Sequence, residues 1–110
     1  MSDGRAIILF GHGSRDPLWR LPMETVAARL RTLNPGTPVR CAYLELDTPG
    51  LPTAAHDLVA AGATRLTIVP MFLGTGRHVR EDLPRLVDGL RKQHPAVDVA
   101  LQPPVGEDAR

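Results

Sequence analysis

Three short stretches of this chain gather residue types able to do chemistry near neutral pH. They are Gly11-His12-Gly13-Ser14-Arg15, Leu44-Glu45 and Gly74-Thr75-Gly76-Arg77-His78. The imidazoles of His12 and His78 and the carboxylate of Glu45 make a ligand set for a borderline divalent ion such as cobalt, nickel, iron or zinc. Three protein ligands leave coordination positions open, which suits transfer or catalysis better than a closed structural site. The same imidazoles titrate near neutrality and suit proton transfer. Glycines flanking His12 and preceding His78 let backbone and a bulky flat ligand approach closely. The residue types alone leave a metal site and an acid/base site both open.

These residues matter only if the fold brings them together, and the hydrophobic pattern says which elements must do so. Ala6 to Phe10 is a continuous apolar run ended by Gly11, the pattern of a strand buried on both faces. Trp19, Met23, Val26, Leu30 and Leu33 repeat at helical spacing, with the regular part of the helix from about Leu21 and a stop at Asn34-Pro35-Gly36. Val39 to Leu46 reads as a second strand. A second helix opens at Pro52 and is ended by Gly62. Leu66 to Val69 is a third strand, closing at Pro70, and Gly74-Thr75-Gly76 opens a loop. Leu83, Leu86, Val87 and Leu90 mark a third helical face, and Val97 to Leu101 a fourth strand. No internal repeat, low-complexity segment or linker is visible. Such β-α alternation predicts an α/β fold, a mainly parallel four-stranded sheet with right-handed crossovers and helices on both faces. In such sheets ligands sit beyond the carboxyl ends of the strands, where His12, Glu45 and His78 all fall.

Composition narrows the alternatives. At 110 residues, one domain spanning 1–110 is expected. A formal charge of +1 argues against a nucleic-acid partner held by bulk charge. Hydrophobic content of 43% with 4% aromatics predicts an aliphatic core. The single cysteine, Cys41, excludes a disulfide framework and suits a reducing cytoplasm. The apolar run near the start is too short to cross a membrane, so neither membrane nor signal segment is expected. Gly11-His12-Gly13-Ser14 lacks the lysine and spacing of a phosphate-binding P-loop. Ser14 is followed by Arg15 and Asp16, which disfavours a hydrolase nucleophile elbow. A phosphohistidine mutase would carry arginine, not Gly11, directly before the histidine.

The ordered set Gly11-His12-Gly13-Ser14-Arg15, Leu44-Glu45, Val69-Pro70-Met71-Phe72-Leu73, Gly76-Arg77-His78 and Asp82-Leu83-Pro84 resembles the small CbiX-type sirohydrochlorin chelatases, class II tetrapyrrole chelatases, from about residue 6 to 102. The resemblance implies a flavodoxin-like half-domain acting as a homodimer. It implies insertion of Co2+ into sirohydrochlorin, with iron or nickel insertion in sister enzymes, giving precursors of cobalamin, sirohaem or a nickel tetrapyrrole. It places the site histidines at His12 and His78 and the metal-binding glutamate at Glu45. No organic cofactor is implied, the divalent metal being a substrate. Metal entry displaces two pyrrole protons, for which a neutral imidazole is a suitable base. Sirohydrochlorin is rich in carboxylates, so Ser14, Arg15, Arg77 and Arg80 beside the motifs are the expected substrate contacts. A non-catalytic metal- or tetrapyrrole-binding module is the alternative, and a hydrolase using His12 a third reading. Small members usually continue past the fourth strand into another helix. Here Gly106-Glu107-Asp108-Ala109-Arg110 stands instead. Part of one sheet face is then expected to be covered by a partner subunit, or the chain is shortened relative to its relatives.

Plainer roles are expected elsewhere. His56 and His94 read as structural, Asp82 as a complement to the dipole of the third helix, and Ser14 or Asp16 as a helix cap. Trp19 and Met23 read as core or dimer contacts, and Cys41 as a small buried hydrophobe.

Overall fold

The computed structural model describes residues 4–11, 21–44, 49–71 and 77–102, with the backbone alone at 21–22 and 77–82. Its elements are β1 (Arg5–Gly11), α1 (Leu21–Leu33), β2 (Val39–Tyr43), α2 (Leu51–Ala60), β3 (Arg65–Pro70), α3 (Arg77–Gln93) and β4 (Asp98–Leu101). The strands form one parallel sheet in the order β2-β1-β3-β4. The expected α/β architecture is therefore present.

The apolar run of β1 takes a central place because both of its faces are covered. Ala6, Ile8 and Phe10 point to one side with Leu66, Ile68, Ala42 and Val99, under α2 and α3. Leu9 points to the other with Val39, Cys41 and Tyr43, under Met23 and Ala27 of α1. The chain leaves β1 toward β2 and leaves β3 toward β4, in opposite directions across the sheet. Right-handed crossovers then require α1 on one face and α3 on the other.

Local signals set the joints. Pro52 occupies the first turn of α2, where its missing N–H costs nothing. At the other end Gly62 adopts φ 110°. Its N–H donates to the Val59 carbonyl, and that of Ala63 to the Leu58 carbonyl, both at 3.0 Å, a Schellman closure that needs a residue at positive φ.

Three details depart from the sequence-based expectation. In α1, Val26 and Leu33 are exposed, at 37% and 67%, while Met23, Ala27 and Leu30 face the sheet. Ala27, fully buried, lets the helix lie close and turns the valine flank outward. Strand β2 ends at Tyr43 with Leu44 in a bend, and Glu45 and Leu46 lie outside the described residues. The third is an internal repeat. β1 pairs with β3 at an offset of 60, Arg5 beside Arg65 and Ile8 beside Ile68. The turn after α1, with Asn34 N–H to Leu30 and Thr37 N–H to Asn34, recurs after α3 as His94 to Leu90 and Val97 to His94. The Arg31 guanidinium holds the Val39 carbonyl at 3.0 and 2.6 Å, and Arg91 holds that of Val99 at 3.3 and 2.8 Å. β1-α1-β2 and β3-α3-β4 are thus two copies of one unit, related by an approximate two-fold axis parallel to the strands. Residues 6–10 and 66–70 share only Ile8 and Ile68 at this offset, but Leu30-Arg31, Pro35 and Val39 recur as Leu90-Arg91, Pro95 and Val99, a sequence signal of the repeat that the apolar pattern alone does not pick out.

Among the described residues one half of the α1 face is uncovered. A groove of about 500 Å³ runs between α1 and the sheet, lined by Ile7, Leu9, Val26, Leu30, Val69 and Met71 among others. Among the described residues no helix is long and apolar enough to cross a membrane.

Candidate functional site

β1, β2 and β3 end level with one another. Gly11 is in register with Tyr43, and Phe10 with Pro70. Beyond these pairs the Leu44 N–H donates to the Gly11 carbonyl at 2.9 Å and the Met71 N–H to the Phe10 carbonyl at 2.7 Å. This edge is where the chain turns in opposite directions after β1 and β3, the crevice position of open α/β sheets.

Gly11 serves the packing there. A Cβ on it would overlap Sδ of Met23, so the absence of a side chain here lets the Met23 thioether of α1 lie directly on the end of β1. Gly11 and Leu44 immediately precede His12 and Glu45. His12 and Glu45 themselves, with Ser14 and Arg15, lie outside the described residues, as do Asp16 and Trp19.

Arg77, His78 and Arg80 belong to the start of α3, not to a loop. The helix begins well before its first core residue, Leu83. In these leading turns only Val79 is apolar, in step with Leu83, Leu86 and Leu90, so the helical period reaches them on a single residue. Asp82 consequently falls in the second turn, past the reach of the N-terminal dipole, and its expected role there does not hold. No acidic residue occupies the first turn. The helix dipole puts partial positive charge at this end of α3, which favours an anionic ligand. Pro84 lies inside α3 and has no N–H for the Arg80 carbonyl, so the leading turns are joined to the rest with one hydrogen bond fewer.

Among the described residues no three His, Cys, Asp or Glu side chains gather to hold a metal ion. The expected trio His12, Glu45 and His78 is not among the side chains described. Cys41 is buried, as expected, and lies on the α1 face of β2. Its Sγ is 3.7 Å from the Met23 carbonyl and 3.7 Å from Oε1 of Glu24. Burial first, then the Glu24 carboxylate, pushes this thiol up from the usual 9.0 to about 11. It is a protonated, unreactive group, unsuited to metal ligation.

The profile of the CbiX family matches residues 6–110. The sirohydrochlorin cobaltochelatase of Methanococcus aeolicus is 33% identical over 82 residues, covering 74% of this chain and 57% of that protein. The crystal structure of a cobalamin (vitamin B12) biosynthesis CbiX protein from Marinobacter aquaeolei superposes with a TM-score of 0.81 at 34% identity, over 94% of this chain and 84% of that one. The sirohydrochlorin chelatase SirB of Bacillus subtilis, in complex with cobalt, gives a TM-score of 0.81 at 26% identity, over 98% of this chain but 45% of SirB. The chain spans less than two thirds of the length of its methanogen relatives. With the family profile covering nearly all of it, from the first core strand onward, the chain belongs to the CbiX family.

Proposed function

We propose that this chain is a sirohydrochlorin cobaltochelatase, a single chelatase-like domain over residues 1–110 that inserts Co2+ into the macrocycle. What supports this reading is the level carboxyl edge at the topological switch point, which β1 and β2 reach one residue before His12 and about two before Glu45, and from which the chain leads on to α3 with His78 in its first turn. The relatives named for cobalt insertion and the cobalt-bound SirB structure support the choice of metal. SirB is also recorded with Fe3+, which keeps iron insertion as the alternative.

In this reading the substrate metal is held loosely by His12, His78 and Glu45, with open positions for ring nitrogens. As it enters, two N–H protons leave the macrocycle, and the imidazoles of His12 and His78 take them in turn. The peripheral carboxylates are held by Ser14, Arg15, Arg77 and Arg80, near a helix N-terminus whose dipole favours anions. No organic cofactor has a part in this chemistry. We place the reaction in the cytoplasm, where the free thiol Cys41 stays reduced. The working unit is a homodimer, on two supports. Nearly the whole chain matches under half of SirB, and half of the α1 face presents an open apolar groove.

The test is the absorbance of anaerobic sirohydrochlorin and Co2+ with catalytic amounts of protein. Conversion over many turnovers, faster than background, is expected, and should be largely lost in His12→Ala and His78→Ala with native circular dichroism. Glu45→Gln should weaken metal affinity more than tetrapyrrole affinity. A spectral change limited to one equivalent of protein would replace the chelatase with a carrier.

A further inference from the structure

His56 and His94 lie 38 residues apart in number and read as unrelated structural residues in sequence. The fold brings them together, with ring centroids 6.2 Å apart and planes inclined by 37°. His56 projects from α2 and is exposed, and His94 is half-buried just after α3. Both backbones are anchored. His56 is flanked by Ala55 and Leu58 of the core, which are 0% and 4% exposed. The His94 N–H donates to the Leu90 carbonyl at 2.9 Å, and its own carbonyl accepts the Val97 N–H at 3.0 Å.

Neither imidazole makes a hydrogen bond or an ion pair among the described residues. The neighbouring carboxylate of Asp57 is engaged elsewhere, 3.3 Å from the Arg40 guanidinium. Two rings with uncommitted nitrogens thus face one another on fixed supports. A transition metal binds imidazole nitrogen at about 2.0–2.1 Å, and the ring centroid lies about 1.1 Å further back. Two rings on one ion therefore have centroids at most about 6.4 Å apart, and about 5.2 Å apart at a tetrahedral angle. The observed spacing is inside the first limit and about 1 Å from the second, a closure that rotation of a surface imidazole supplies.

We propose that His56 and His94 form a peripheral site for one divalent transition-metal ion of the borderline class, held by two imidazoles and completed by water. No third His, Cys, Asp or Glu joins them among the described residues, so the ion exchanges freely. His94 follows the C-terminus of α3 and precedes β4, which puts the pair toward the amino ends of the strands, at the opposite edge from the centre proposed above. The proposal is independent of that function.

The test is imidazole NMR of the full chain carrying His12→Ala and His78→Ala, titrated with Co2+ alone and with Mg2+ as a control. The resonances of His56 and His94 should respond together to Co2+, saturate at one ion per chain and ignore Mg2+. Adding His56→Ala should weaken the response of His94 by about tenfold or more, since removal of even an outer-shell partner costs 10–100-fold. The reciprocal His94→Ala should do the same to His56. An unchanged response of either histidine without the other, or no response at stoichiometric Co2+, overturns the proposal. The readout does not involve turnover, so loss of this site and loss of chelatase activity are separate results.

Discussion

Taking the protein from about pH 8 to about pH 11 should weaken it through one residue, and replacing Cys41 by alanine should remove that part of the loss. The thiol is 7% exposed and held against Met23 and Glu24. Burial is the largest reason its pKa rises to about 11, followed by the charge of Glu24 and its contact with the sulfur, while Arg31 and Tyr43 act in the other direction. An unfolded chain releases this proton near 9.0, and the folded chain holds it to about 11. Between those values the unfolded state binds fewer protons, so stability falls as pH rises. The contribution is complete below 9.0 and gone above 11. A rise of about 2 in pKa corresponds to about 2.7 kcal/mol at most. The assay is the urea midpoint against pH for the parent and Cys41→Ala, taking the difference because every other group is common to both. Glu24→Gln should shrink the difference without abolishing it, since burial remains. At about pH 8 the folded thiol should also alkylate on the order of 100-fold more slowly than the unfolded one. Parallel pH profiles for parent and Cys41→Ala would refute the reasoning.

Gly11→Ala should cost about 1 kcal/mol, the low end for overpacking, because the atom it meets is the movable end of Met23. Combined with Met23→Ala, which alone removes about 2–5 kcal/mol, the loss should be less than additive in thermal unfolding. Strict additivity would mean that the two do not meet. Arg31→Met and Arg91→Met should each lower the unfolding free energy from urea titration by about 0.5–1.5 kcal/mol, and the double variant by their sum, since the forks lie on opposite edges. Gly62→Ala should cost about 1 kcal/mol from backbone strain alone, as nothing lies within 4 Å of the added methyl. A neutral result would show that the α2 terminus relaxes.

Much of this frame is visible in sequence because burial on both faces leaves an unbroken apolar run, as in Ala6 to Phe10. Pro52 and Gly62 mark α2 because each has one residue-specific reason for its place. Where hydrophobicity carries no information, the reading fails. The leading turns of α3 carry one apolar residue, Val79, and read as loop after Gly74-Thr75-Gly76, and Val26 fits the helical period but flanks a groove. The repeat is faint in the strands, where Phe10 stands opposite Pro70, and its sequence trace is confined to Leu30-Arg31, Pro35 and Val39 recurring as Leu90-Arg91, Pro95 and Val99, a spacing of 60 that a search for short repeats passes over. For the site, sequence names His12, Glu45 and His78, and the structure adds the level strand ends and the dipole that precede them. The meeting of His56 with His94 depends on how α2 and α3 pack, which no local spacing encodes.

The two arginine forks bear on how the chain survives its own synthesis. A parallel sheet has two outer strands whose unpaired backbone groups invite strands from other molecules. Here β2 and β4 are those strands, and on each the carbonyl facing away from the sheet, at Val39 or Val99, is taken by an arginine from the helix just before it. The Tyr43 N–H at the far end of β2 is taken in turn by the Pro49 carbonyl. Each arginine lies only eight residues from the strand it guards. Closing so short a loop is fast and entropically cheap. Protection therefore arrives with each helix–turn–strand segment, before the slower pairing of β1 with β3 completes the sheet. An edge strand whose outward carbonyl is held by its own helix offers less to a neighbouring chain, and among the described residues the apolar groove on the α1 face is the larger invitation to association.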